Sequence, residues 1–77
     1  MNQGINAVGY DGKKWILIDE ATQRMLRVGD VAITFRGEKL RITGKGSAPH
    51  KPSSTGRIET NEGEYFPSVV GARWVRL

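Results

Sequence analysis

The sequence predicts an all-β fold, a small antiparallel β-barrel of five to six short strands with a 3-10 turn before the last strand. Short apolar runs alternate with glycine- and aspartate-containing turns along the 77 residues. The one stretch of helix-forming residues, 19–26, is too short to be stable as an isolated helix. A chain of this length holds one domain, 1–77, and a twisted sheet of short strands curls into a barrel.

The first predicted element is a hairpin near the amino terminus. Asp11 and Gly12 lie between the apolar runs 7–10 and 14–18. Aspartate followed by glycine between such runs signals a hairpin, because both turn residues tolerate positive φ. The segment 19–26 that follows is expected to be a helical turn or a long loop.

The clearest strand signal lies at 31–36. Val31, Ile33 and Phe35 share one face at period two, and we expect that face to pack into the core. A tight turn at Gly37 leads into the next strand, so the two strands form a second hairpin.

That next strand, 39–43, has an apolar and a basic face. Leu40 and Ile42 are expected in the core, which leaves Lys39 and Arg41 side by side on the exposed face. The predicted core of the whole chain consists of Trp15, Ile16, Val31, Ile33, Phe35, Leu40, Ile42, Ile58, Phe66, Val69 and Trp74.

The segment 44–56 is predicted to be a long flexible loop. It contains three glycines, two prolines and three serines and shows no apolar periodicity. Loops of this length are usually functional or disordered. We therefore expect its backbone to be more mobile than the strands on either side.

The carboxy-terminal part predicts a third hairpin and a closing strand. Strand alternation resumes at 57–60, a turn follows at 61–63, and 64–66 returns antiparallel. The segment 67–72 begins with proline and ends near glycine, which favours a single 3-10 turn before a last strand at 73–77.

The order of these elements resembles the SH3-like small barrel. The resemblance rests on Val-Gly-Asp at 28–30 entering a strand, the central hairpin, and Tyr-Phe-Pro-Ser at 65–68 before one helical turn and a final strand. It implies an SH3-like fold for the chain.

A narrower resemblance covers the carboxy-terminal half. The segments APHKPSSTGR at 48–57 and EYFPSVVGARW at 64–74 resemble a group of small uncharacterised phage and prophage proteins. This resemblance implies a phage or mobile-element origin and a bacterial host, and it brings no assigned activity.

The positive charge of the chain is concentrated in its centre. The net charge is +4, and residues 36–57 alone carry six basic side chains against one acidic. Such a cluster suits nucleic acid or an acidic protein face, although basic residues on a solvated sheet edge also prevent aggregation. The candidate nucleic-acid-binding residues are Arg36, Lys39, Arg41, Lys45, His50, Lys51 and Arg57.

Several functional classes are excluded or disfavoured. The chain has no cysteine and one histidine, His50, so it lacks thiolate metal ligands and thiol chemistry. A serine of the same loop could pair with His50, but no third group orients its ring as a catalytic base, and we expect no enzyme activity, no cofactor and no metal. The apolar run 15–18 is far below the about 18 residues that span a bilayer, so a cytoplasmic location is expected.

The sequence therefore predicts a binding module. The leading interpretation is engagement of nucleic acid, or of a complex that contains it, through the basic hairpin and the long loop. The alternative is a protein-interaction module that binds and modulates a host protein. Nucleic-acid affinity falls steeply with salt, whereas a protein partner relies on an apolar hot spot.

Overall fold

The computed structural model describes residues 4–77, except the side chain of Lys45, and it confirms the all-β class. Two four-stranded antiparallel sheets form, and they do not close into a single barrel. The elements are β1 (Asn6–Val8), β2 (Lys14–Asp19), β3 (Arg24–Met25), β4 (Val31–Ile33), β5 (Lys39–Ser47), β6 (Arg57–Thr60), β7 (Gly63–Tyr65), the 3-10 helix η1 (Pro67–Val70) and β8 (Ala72–Arg76). Among these residues no helix has the length and apolar character needed to cross a membrane.

The first sheet is built around β2. Strand β8 pairs along one edge of β2, where Leu17 lies opposite Trp74. On the other edge, β1 pairs with the first half of β2 and β3 pairs with its end. Between them, Leu17 donates its backbone N–H to the carbonyl of Ile5 and accepts a hydrogen bond from the N–H of Leu26, both at 3.0 Å.

The two connections of this sheet differ from each other in how well the sequence predicted them. The hairpin at Gly12 is confirmed, with a φ of 72° at that glycine. The segment 19–26 forms a single helical turn, in which the N–H of Gln23 donates to the carbonyl of Asp19 at 2.8 Å, and not a long loop, because Arg24 then pairs with Asp19. The carboxylate of Asp19 accepts the N–H of Ala21 at 2.9 Å, which stabilises the turn and brings the chain back along β2.

The second sheet has the strand order β4, β5, β6, β7. The predicted hairpins at 31–43 and 57–66 are both present. Strand β5 is the longest, and its pairing with β6 shifts register twice between Ile42 and Ser47. Gly46 has a φ of 67°, a conformation that glycine adopts without steric cost, and it allows this bulged strand to bend.

The segment predicted as a loop from residue 44 begins later than expected. Gly44 and Ser47 still pair with β6, because bulges let a glycine-rich strand remain in the ladder. Beyond the strand, Ala48 is buried in the core, and the carbonyl of Pro49 accepts the N–H of Tyr10 at 2.9 Å. The irregular part is therefore 48–56 and is anchored at its start.

The main core lies between the two sheets. Five residues of the predicted core are buried: Ile16, Leu40, Ile42, Ile58 and Trp74. Two further predicted residues, Trp15 and Val69, pack against the core from partly exposed positions. The core cluster consists of Ile5, Leu17, Ala32, Leu40, Ile42, Ala48, Ile58, Val70, Ala72 and Trp74.

The predicted orientation of β4 is wrong. Val31, Ile33 and Phe35 are 49%, 58% and 77% exposed, whereas Ala32 and Thr34 are buried. Ala32 pairs with Leu40, so these two share the core face, and a one-residue shift moves every side chain of a strand to the other face.

Two local interactions account for the remaining differences in burial. The hydroxyl of Thr34 accepts the N–H groups of Arg36 at 3.2 Å and Glu38 at 3.1 Å, so a polar residue is stabilised inside the hairpin turn. Phe66, also predicted in the core, is exposed, and the guanidinium of Arg57 lies 4.2 Å from its ring centroid.

The inverted face of β4 changes the expected effect of a core mutation. Ile42→Ala removes a side chain that is 1% exposed and should destabilise the protein by about 2–5 kcal/mol. Ile33→Ala should cost less than about 1 kcal/mol, because only strand propensity and exposed contacts are lost. Urea denaturation of both variants measures the difference, and a larger loss at Ile33 than at Ile42 would contradict the observed orientation.

Gly56 is expected to be one of the least replaceable glycines. Its φ is 79°, and a Cβ there would lie 2.5 Å from the carbonyl oxygen of Ser47 and 2.6 Å from the indole of Trp74. Gly12 has a similar φ of 72° with open space around it, so Gly12→Ala isolates the backbone effect. Thermal denaturation should show that Gly56→Ala costs at least about 1 kcal/mol more than Gly12→Ala, the extra term being overpacking; equal losses would contradict it.

Candidate binding surface

The outward face of the second sheet carries its side chains in rows along the strands. Val31 and Ile33 of β4, continued by Phe35 at the hairpin turn, form the apolar row. Lys39 and Arg41 of β5 form the basic row beside it, and each lies directly across from a member of the apolar row: Arg41 from Val31 and Lys39 from Ile33. At two positions of this strand pair, an apolar side chain of β4 therefore lies opposite a cationic side chain of β5.

A third row on the same face is acidic. Glu59 of β6 and Glu64 of β7 lie directly opposite each other, and both are exposed. Like charges in this position are unfavourable in a sheet. The acidic row is displaced along β5 from the basic row, because Glu59 pairs with Gly44 while Asn61 lies against Arg41. Sequence reasoning did not single these acidic residues out.

The cations of this face are available to a partner. Among the described side chains, which do not include that of Lys45, the two ion pairs join Arg73 to Glu20 and Arg76 to Asp11, and neither involves the basic row. Arg41 donates to the carbonyl of Gly29 at 3.0 Å, which orients its guanidinium.

The hairpin turn adds an exposed aromatic ring to this face. Within residues 4–77, Phe35 is the most exposed large apolar side chain, and the guanidinium of Arg36 lies 5.5 Å from its ring centroid. The backbone N–H of Phe35 donates to the carbonyl of Val69 at 3.1 Å, so the turn is held against η1. The ring is thus presented on an anchored backbone.

The other predicted cations do not join this group in one cluster. His50 and Lys51 lie in the irregular segment beyond the end of β5, and a nine-residue strand separates Lys39 from that end by up to about 26 Å. Arg57 pairs with Ser47 at that same end of the sheet. Lys45 belongs to β5, and its side chain lies outside the described part of the structure.

A groove runs along the outer edge of β4. It has a volume of about 310 Å³, and its walls include Val31 and Ile33 on one side and Leu26, Val70 and Gly71 on the other. A larger, open depression of about 740 Å³ adjoins it around β3 and also contains Leu26. The groove is the main concavity next to the apolar row.

A separate polar cluster joins the first hairpin to the end of β8. The carboxylate of Asp11 accepts hydrogen bonds from the indole N–H of Trp15 at 3.0 Å, the backbone N–H of Lys13 at 3.1 Å and the guanidinium of Arg76 at 3.0 Å. These donors, the indole first, lower the pKa of Asp11 below its usual value of 3.8. These hydrogen bonds join the first hairpin to the end of β8, and the cluster contains no nucleophilic side chain.

Neither a metal site nor a matching protein indicates a function for the described residues. Within residues 4–77, no three His, Cys, Asp or Glu side chains lie close enough together to hold a metal ion. Comparison with family models, curated proteins and solved structures finds no match to this chain. The candidate binding surface therefore rests on its own geometry.

Sequence reasoning missed the exposure of the apolar row, although one signal for it was present. Thr34 stands directly before the turn at Arg36 and Gly37, and a threonine hydroxyl in such a position commonly accepts turn N–H groups. Placing Thr34 inside the turn would have directed its neighbours Ile33 and Phe35 outward.

The cluster at Asp11 predicts a pH-dependent signal. A lowered pKa in the folded state means that the stabilisation is present above the unfolded value of 3.8 and is lost as the pH falls through the folded value. The NMR signal of the Trp15 indole N–H should therefore shift with a midpoint below 3.8. Asp11→Asn should abolish this step, and a midpoint at or above the usual value would contradict the arrangement.

Proposed function

We propose that this protein is a binding module that docks on a partner protein through the apolar row and the basic row. The observation that carries the proposal is the exposure of Val31, Ile33 and Phe35 on one face of one hairpin. Contiguous exposed apolar side chains rimmed by polar ones are typical of protein-protein interaction sites. The face holds a candidate hot spot next to cations that orient a partner.

The charge of the face indicates the kind of partner. Lys39 and Arg41 lie directly across from the apolar row, so a surface that combines apolar and acidic side chains is complementary to it. The acidic row at Glu59 and Glu64, farther along β5, repels the same surface. The partner contact is thus centred on the β4–β5 hairpin.

Nucleic-acid binding is the second candidate, and a specific observation favours it. Phe35 and Phe66 are both exposed, and each has an arginine guanidinium over its ring, at 5.5 Å and 4.2 Å respectively. Bases stack on such rings with about 1–3 kcal/mol each. The acidic row and the aliphatic side chains of β4 make this face less suited to a phosphate backbone than to a protein, so we rank it second.

The origin of the protein belongs to the same proposal. The order of a central hairpin, a 3-10 turn and a last strand supports a relation to SH3-like small barrels in an open form. The resemblance of the carboxy-terminal half supports a phage or mobile-element origin, and with it a bacterial cytoplasmic setting and a host protein as partner.

A pair of surface variants tests the proposed docking face. Ile33→Ser removes an apolar side chain from the apolar row, and Val8→Ser removes one of similar exposure from β1. Both variants and the parent are immobilised and incubated with nuclease-treated bacterial lysate. A protein held by the parent and by Val8→Ser should be recovered about tenfold less with Ile33→Ser; equal recovery with all three would contradict the proposal.

Charge reversal separates the two candidate functions. The double variant Lys39→Glu with Arg41→Glu reverses the basic row, and Lys13→Glu with Lys14→Glu makes the same charge change at exposed positions near the first turn. Titration with single-stranded and duplex DNA and RNA at several salt concentrations should show only weak binding, reduced about equally by both double variants. Salt-sensitive micromolar affinity that only the first double variant loses would instead establish the nucleic-acid candidate.

A further inference from the structure

The outer edge of β4 presents backbone groups that the second sheet does not use. Asp30 accepts the N–H of Ile42 at 2.9 Å, and Thr34 donates to Glu38 at 2.8 Å, so these residues bond to the β5 side of the hairpin. In an antiparallel ladder alternate residues turn their N–H and C=O groups to opposite edges. Val31 and Ile33 therefore direct theirs away from β5.

This edge faces the groove. No strand within residues 4–77 pairs with it. The edge is closed at the hairpin turn, where Phe35 donates to Val69, and it is open along Val31 and Ile33. The opposite wall is formed by Leu26 and Val70, so one extended chain placed along β4 would lie between the two sheets.

We infer that the free edge of β4 takes an extended acidic segment of the partner protein as an added antiparallel strand. The inference rests on the proposed docking function and states how that docking occurs. Strand addition provides main-chain hydrogen bonds for affinity and uses alternate side chains for specificity. Here it would satisfy the outward N–H and C=O groups of two residues.

The charges around the groove favour an acidic occupant. Arg24 and Arg27 are exposed at the adjoining depression, and the basic row lies on the other side of β4. The two carboxylates nearby are engaged in turns: Asp19 accepts the N–H of Ala21, and Asp30 accepts the N–H of Arg27, both at 2.9 Å. Asp19 itself lines the groove and keeps its charge, so the acidic side chains of an occupant are favoured on the outward side of β4, where the basic row lies.

The pleat of the strand pair determines which side chains of the occupant lie on the outward face and which point into the groove. In an antiparallel pair, residues opposite Val31 and Ile33 lie on the outward face, within reach of the basic row, and the residues between them point into the groove against Leu26 and Val70. The occupant is therefore a segment in which acidic and apolar residues alternate.

A short designed peptide tests this inference. The probe is an eight-residue peptide of alternating glutamate and valine with capped ends, and its control replaces every glutamate with lysine. Amide hydrogen exchange is followed by NMR on the full chain. The glutamate peptide should slow exchange at Val31 and Ile33 by about tenfold or more, while the lysine peptide leaves both unchanged; no protection by the glutamate peptide overturns the inference.

Backbone methylation of the probe tests the bonding pattern. In the antiparallel arrangement the glutamate N–H groups face β4 and the valine N–H groups face away. A peptide N-methylated at its two central glutamates should lose binding, and one N-methylated at its two central valines should retain it. Equal binding by both would show that main-chain bonds are not used and would overturn strand addition.

Failure of this inference is distinguishable from failure of the docking function. If Ile33→Ser loses a captured partner while that partner leaves the exchange of the Val31 and Ile33 amides in the parent unchanged, the docking face stands and strand addition is wrong. If Ile33→Ser captures the partner as well as the parent does, the docking function itself is wrong, whether or not the peptide protects the two amides.

Discussion

The backbone pairing at the centre of β2 is the interaction on which the first sheet depends. Leu17 has no exposed surface, and its N–H and C=O bond to the chain just before β1 and just after β3. The other edge of β2 pairs with β8, so two segments from the first third of the chain and one from its end meet at one strand. The pairs with β1 and β3 are local in sequence and those with β8 are distant, so the carboxy-terminal strand must be in place before both edges of β2 are covered.

The bend of β5 transmits this arrangement to the second sheet. The strand stays paired with β6 through two register shifts and ends beside Gly56, where the indole N–H of Trp74 donates to the carbonyl of Arg57 at 3.2 Å. Trp74 lies opposite Leu17 in the first sheet. One side chain thus links the central strand to the far end of the other sheet, and the absence of a Cβ at Gly56 leaves room for it.

Local chemistry made the hairpins predictable, and tertiary context decided the rest. The turns at Gly12, Gly37 and 61–63 follow from residues that accept their geometry. The face of β4 did not follow, because alternation shows which residues share a face and not which face is inside. The sequence shows which residues are basic. Their separation along β5 and the exposure of the apolar row depend on how the sheets pack, which the sequence pattern does not show.

The acidic row near the basic row gives the outer face a direction as well as a charge. Lys39 and Arg41 attract a negatively charged body, and Glu59 of β6 and Glu64 of β7, which are displaced toward the other end of β5, repel it. A body that approaches such a pair of rows feels a torque that turns it until its acidic side lies over the β4–β5 hairpin. Rotational orientation is therefore set during the encounter, before any apolar contact forms, and it weakens as added salt shortens the range of the field.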